Sequence, residues 1–272
     1  MKTLRLTVIA LIGTAILFTA CQTNETETKD VDVDSLLKIA ELYVNDDVEE
    51  ATSNEEISKS ANYFPCFDVE IIPNENGEFW PINWIIDFGT GECTSFFGIT
   101  RSGKIHTTLT ANWKTEGSLR TTTYENFFMN ENQVEGTRTI ENTGLNDIEN
   151  LTWTRKVIDG KVTNADGTII TWECTRYSEM VEGADTWLFA DDAYDVTGTS
   201  NGVNEDGLSF SMEITTSLHY INGCKFPVSG ELVITIEGAE NTIIINYGEG
   251  ECDNFATQTV GDEVTEIELG IN

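Results

Sequence analysis

Positive charge is the scarcest property of this chain. Against 47 Asp and Glu stand 15 Lys and Arg, and the formal net charge is −32. A surface so acidic cannot track a phosphate backbone, which excludes nucleic acid as a partner, and an anionic headgroup layer would repel it. Histidine is nearly missing, with only His106 and His219. Both fall in strand-like runs among ordinary sheet residues, so a serine or cysteine triad has little to be built from. The cysteines include no C-x-x-C pair and neither histidine lies near one in sequence, so no zinc site is implied. No G-x-S-x-G elbow, H-E-x-x-H helix, P-loop or dinucleotide fingerprint occurs, and no cofactor is implied. Long apolar runs are missing too. None reaches the roughly 20 residues that span a bilayer.

What is present begins at the first residues. Lys2 and Arg5 head a short apolar run, Leu6 to Phe18, which Thr19-Ala20 follow, and then Cys21. Charged start, apolar core and small residues before a cut define a secretory signal. With a cysteine directly after the cut, the segment resembles the signal of a bacterial lipoprotein, although Phe18 stands where that family prefers Leu. The resemblance implies cleavage before Cys21, lipidation of Cys21 and attachment to a membrane through acyl chains. Each buried methylene contributes about 0.8 kcal/mol, so two or three chains hold a protein firmly where one does not. Gln22 occupies the position at which an Asp commonly retains family members at the inner membrane. The resemblance therefore points to the outer membrane of a Gram-negative cell and leaves its periplasmic or surface face open. Without Lys2 and Arg5 the basic residues fall from 15 to 13 and the charge moves from −32 to −34. Such an excess reads first as a solvated, self-repelling surface.

Cys66, Cys93, Cys174, Cys224 and Cys252 remain, in an export setting that permits disulfides. Connectivity is not normally legible in a sequence. Here one spacing recurs: Cys66 to Cys93 and Cys224 to Cys252 span nearly equal lengths. The second member of each pair ends a matching phrase, Asp87-Phe88-Gly89-Thr90-Gly91-Glu92-Cys93 against Asn246-Tyr247-Gly248-Glu249-Gly250-Glu251-Cys252. The repeat favours bridges Cys66–Cys93 and Cys224–Cys252. Cys174 is left as a free, buried, small apolar residue.

Four stretches follow along the chain: a signal at 1–20, a lipidated polar tether at 21–33, a helix and linker at 34–61 and a β domain at 62–272. The helix rests on Leu36, Leu37, Ile39, Ala40, Leu42, Tyr43 and Val44 at three- and four-residue steps. Beyond it Thr, Ile, Val and aromatics dominate. Asn76-Gly77, Asp159-Gly160, Asp166-Gly167, Asp206-Gly207 and Asn222-Gly223 punctuate them with hairpin-turn chemistry. Leu151, Trp153, Arg155 and Val157 alternate with Thr152, Thr154, Lys156 and Ile158, so one face packs and one is wet. The fold class is all-β, an antiparallel sandwich or curled multi-strand sheet behind a short N-terminal helix. No repeat period of 20 to 50 residues supports a solenoid or propeller.

Three functional readings result. The first is a non-enzymatic envelope lipoprotein with a binding or structural role, whose partners are the membrane, through its anchor, and a glycan or a protein. In its glycan form Trp153 and Trp172, on neighbouring strands, stack on sugar rings; the competing role for these rings is core filling. The second is a glycan-active hydrolase with Glu173 as the leading acid, which requires a second carboxylate about 5 to 10 Å away. The third is a carrier of lipid or a small apolar ligand, which requires a concave sheet lined with apolar residues. Asn164-Ala165-Asp166-Gly167 and Asn204-Glu205-Asp206-Gly207 hint at calcium but lack the full loop spacing, so hairpin turns are expected there. With its lipoprotein signal, acidic tether and (Phe/Tyr)-Gly-x-Gly-Glu-Cys phrases, the chain resembles uncharacterised β-rich lipoproteins of Gram-negative bacteria. That resemblance transfers Cys21 as the lipid site and nothing catalytic.

Overall fold

The computed structural model describes residues 66–270 except 75, 91–92, 95–98 and 187–190. The signal, Cys21, the tether and the helix expected at 34–61 lie outside the described residues. So does Trp187.

Fourteen strands follow one another: β1 (Asp68–Ile72), β2 (Ile82–Asp87), β3 (Cys93–Thr94), β4 (Thr100–Leu109), β5 (Leu119–Met129), β6 (Asn132–Leu145) and β7 (Leu151–Thr163), then β8 (Ile169–Glu182), β9 (Ala193–Val203), β10 (Ser209–Ile221), β11 (Ser229–Ile236), β12 (Ile243–Glu249), β13 (Phe255–Val260) and β14 (Glu263–Glu268). They form one antiparallel sheet in chain order, with β3 pairing β4 beside the main path. Of the two expected architectures, the single multi-strand sheet is the one formed. β1 and β14 end the order and do not pair with each other. Exposed Glu263, Glu266 and Glu268 charge the β14 edge, which disfavours pairing with another strand.

Alternation decides the faces. Trp153 and Val157 on β7, Ile170, Trp172 and Cys174 on β8, and Leu232, Ile234 and Ile236 on β11 are buried, and their intervening neighbours are more exposed. Burial of the apolar set contributes roughly 25 cal/mol per Å². A one-residue slip of any strand would turn its apolar row to solvent, which fixes the register. Register shifts interrupt the ladders β4/β5, β5/β6, β6/β7 and β7/β8. Such bulges add bend and twist to long strands.

The Asn-x-Asp-Gly segments are tight turns, as expected. Gly167 N donates to Asn164 O at 2.9 Å, and Asp166 Oδ1 accepts from Thr168 N at 2.9 Å and Thr168 Oγ1 at 2.7 Å. Gly207 N donates to Asn204 O at 3.0 Å, and Leu208 N to Asn204 Oδ1 at 2.8 Å. These side-chain oxygens therefore serve the turns. Asp159-Gly160 departs from expectation: it lies inside β7, at a bulge where Asp159 has φ 52°. The left-handed preference of Asp and Gly that suits a hairpin turn suits a bulge equally well. A side chain at Gly160 would meet the Trp172 indole at 2.7 Å, so the bulge also brings backbone against ring.

The bridges are Cys66–Cys93 and Cys224–Cys252, and Cys174 is free and buried. Each bridge closes the open end of a hairpin. Cys66 precedes β1 and Cys93 follows β2; Cys224 precedes β11 and Cys252 follows β12. The matching Gly-x-Gly-Glu-Cys phrases are thus the exits of two equivalent hairpins.

Candidate ligand site on the buried face

Charge is distributed unequally between the two faces. After Arg5 the chain has five arginines, Arg101, Arg120, Arg138, Arg155 and Arg176. They fall one each on β4, β5, β6, β7 and β8, five successive neighbours in the sheet. All five occupy the core face. Arg101 pairs Met129 and buried Cys93, Arg120 pairs buried Leu109, and Arg138 pairs buried Val157. Arg155 and Arg176 stand directly opposite each other, in one cross-strand row with Ile140 and Arg120. Arg101, Arg138 and Arg176 are 5%, 8% and 7% exposed, a depth at which arginine is rare.

Acids take the other side. Glu125, Glu135, Glu141, Glu173 and Glu179 all occupy outward positions, and no Asp or Glu holds a core-face position on β4–β8. Lysines also face out. Lys104 pairs Asp87 at 3.0 Å and Lys161 pairs Glu135 at 2.7 Å.

The hydroxyl of Tyr220 (β10) reaches this face, although its ring remains partly exposed. Burial pushes that hydroxyl above its ordinary pKa, while Arg176, which donates a hydrogen bond to it, and Arg155 pull the other way. Beside the arginine row lies a cavity of about 40 Å³. Its walls include Tyr124, Phe127, Met129, Val157, Trp172 and Arg138. Its lining is mostly apolar and aromatic, with Arg138, Glu135 and Thr137 as its polar members.

One turn folds over the end of this face. Trp113, between β4 and β5, stacks on Trp153 at 4.9 Å between centroids, and Asn142 Nδ2 holds the Trp113 carbonyl at 2.9 Å. Lys114 acts on Asp192, a buried carboxylate whose Oδ2 accepts from the Tyr194 hydroxyl at 3.3 Å. Burial holds the Asp192 carboxyl above its ordinary pKa, and Tyr194 and Lys114 only partly offset it. In the window between the unfolded value near 3.8 and the raised folded value, the native chain binds the extra proton. Stability from this group therefore falls as pH rises through that window. Asp192→Asn is expected to gain stability relative to wild type at neutral pH, and the gain to shrink as pH falls toward 3.8, in parallel urea titrations. A stability difference that does not change with pH would contradict this.

The residues expected to carry chemistry are dispersed. His106 Nε2 lies 2.8 Å from Glu125 Oε2 on the outward face, and His219 Nδ1 lies 2.7 Å from Asp195 Oδ1. Glu173 is exposed and faces Asn201 across the ladder. Among the described residues no group of three or more His, Cys, Asp or Glu is placed to hold a metal. The sugar platform is corrected: Trp153 and Trp172 are 2% and 5% exposed. Both indoles belong to the core row. They also lie at opposite ends of the β7/β8 ladder, where Trp153 pairs Ser178 and Trp172 pairs Gly160.

The arginine face was not singled out from sequence, although a signal existed. Arg155 shares the apolar half of the alternation with Trp153 and Val157, and Arg176 shares parity with Trp172 and Cys174.

By fold and site, then, the protein is an antiparallel sheet that gathers its core and its arginines on one face. No protein-family model, curated protein or solved structure matches it.

Proposed function

We propose that this chain is a lipid-anchored envelope protein of a Gram-negative outer membrane whose β domain binds a small ligand and does no catalysis. Cys21 is the anchor, through the lipoprotein resemblance of residues 1–21. The cavity beside Arg138 carries the binding half of the reading, because ligand sites are concave and mostly apolar, with a few fixed polar groups. This joins the binding-module expectation to the carrier expectation, since the lined sheet face is what a carrier needs. The hydrolase reading is less well supported. Glu173, its leading acid, is exposed on the outward face, opposite Asn201.

The anchor is tested by fractionation of cells that express the full chain. Wild type is expected in the membrane pellet after a carbonate wash and in solution only with detergent. Cys21→Ser is expected to lose fatty-acid label and leave the membrane almost completely. Retention of the variant in the pellet would remove Cys21 from its role.

A further inference from the structure

We propose that the outward face carries a saccharide site, in which Tyr177 stacks on one ring of an uncharged oligosaccharide while Glu179 and His219 accept hydrogen bonds from its hydroxyls. The site lies on the opposite face of the sheet from Arg138 and Trp172 and stands independently of the cavity they line. The indoles of Trp153 and Trp172 are buried and closed to a sugar. Tyr177, on β8, is 56% exposed, and among the described residues of β4–β10 no other aromatic is exposed to that degree. Its cross-strand neighbours are Thr154 on β7 and Thr197 on β9, and Thr175 precedes it on the same face. These side chains are too short to cover the ring, and their hydroxyls both donate and accept. A flat aromatic among fixed hydrogen-bonding groups suits the apolar face and polar rim of a sugar ring.

Two polar groups beside the ring are already held in place. Glu179, two residues along β8, accepts at Oε1 from Asn146 Nδ2 at 2.8 Å and from Asn150 Nδ2 at 2.7 Å, which leaves Oε2 for a ligand. Glu179 faces Asp195 on β9, and Asp195 faces His219 on β10. His219 Nδ1 is tied to Asp195 Oδ1 at 2.7 Å, so Nε2 is the ring nitrogen left to accept from a hydroxyl. Groups fixed beforehand lose little freedom on binding. Charge sets the ligand class. Glu141, Glu179 and Asp195 around the ring, in a chain of net charge −32, disfavour an anionic glycan. Lys156, diagonal to the ring, disfavours an ammonium ligand. Length follows from the sheet. Strands lie about 4.8 Å apart, so the backbones of Glu179 and His219, two strands apart, are separated by about 10 Å, more than one sugar ring spans.

The test is calorimetric titration of the full mature chain with cellohexaose, maltohexaose, laminarihexaose and mannohexaose. Glucose, mannose, hexagalacturonate and spermidine serve as comparisons. At least one neutral hexasaccharide is expected to bind, at least tenfold more tightly than its own monosaccharide and with an affinity that added salt leaves unchanged. Tyr177→Ala is expected to weaken that binding at least tenfold, and Tyr177→Phe, which keeps the ring, to preserve it. Glu179→Gln and His219→Ala are each expected to weaken it severalfold. The urea midpoint of each variant checks that the fold is kept. If Tyr177→Ala fails to fold, Glu179→Gln and the comparison with the monosaccharide still decide the matter. Binding of none of the four hexasaccharides would overturn the proposal. So would a Tyr177→Ala variant that folds and binds as wild type does. Tighter binding of hexagalacturonate or spermidine than of any neutral hexasaccharide would overturn the uncharged ligand, and a monosaccharide as tight as its hexamer would overturn the extended site.

Discussion

Removing both bridges, by serine at Cys66, Cys93, Cys224 and Cys252, is expected to lower the unfolding free energy by about 7 kcal/mol. Each bridge closes a loop, with sequence separations of 27 and 28, and loop-closure entropy assigns roughly 3.5 kcal/mol to a loop of that size. The two effects should add, because the β1/β2 and β11/β12 hairpins lie far apart in strand order and share no partner strand. A domain stable by about 5 to 15 kcal/mol would be left marginal or unfolded at 37 °C. Urea unfolding of each double variant and of the quadruple variant measures this directly. Cys174→Ala is the control, since Cys174 is in no bridge and its loss removes only a small buried group. A quadruple variant within 1 kcal/mol of wild type would mean that the hairpins are held without their bridges.

The bridges were legible because the chain repeats itself. The same spacing and the same closing phrase appear twice, and geometry gives the reason: each pair closes the open end of a hairpin, so equal hairpins require equal spacings. The turns were legible where Asp-Gly or Asn-Gly stood between apolar runs, and failed at Asp159-Gly160, where the same dihedral preference serves a bulge. Strands β1 and β13 left little trace. Exposed positions dominate Asp68–Ile72 and mix into Phe255–Val260, so neither shows a clean apolar row, and pairing with neighbours makes them strands. The long central strands were visible in their middles and extend beyond them, as β7 does past Ile158 to Thr163, because ladder partners override local preference at the ends. The arginine face is the clearest case of information that sequence holds but does not display. Each arginine alone looks like an ordinary charged residue in a Thr-rich strand. The alternation of a strand can put its arginine on the apolar half, as with Arg155 beside Trp153 and Val157, but only the pairing of successive strands brings five of them to one face.

Trp153→Ala is expected to cost about 3 to 5 kcal/mol, the range for truncating a large aromatic in a core. Trp153 sits where three elements meet. Trp113 from the β4/β5 turn stacks on it at 4.9 Å with planes 14° apart, Tyr194 from β9 meets it edge-on at 6.1 Å, and Ser178 of β8 stands opposite. Such aromatic pairs contribute about 0.5–1.5 kcal/mol beyond area burial, so loss of the ring removes two of them along with its packing. The indole also carries a liability. Its Nε1 is buried without a hydrogen-bond partner among the described residues, a state that costs about 1–3 kcal/mol. Trp153→Phe deletes that N–H and keeps most of the apolar contact, so it should cost far less than Trp153→Ala. The two variants separate packing from polarity, since a cost that follows ring volume alone would leave Trp153→Phe midway between wild type and Trp153→Ala. Circular dichroism supplies the structural readout. The Trp113–Trp153 pair should give an indole exciton couplet on the long-wavelength side of the peptide bands, and both substitutions should abolish it while the strand signal persists. A couplet that survives Trp153→Phe would show that Trp113 stacks elsewhere, and that the turn over the arginine face is held by Asn142 and Lys114 without the indole pair.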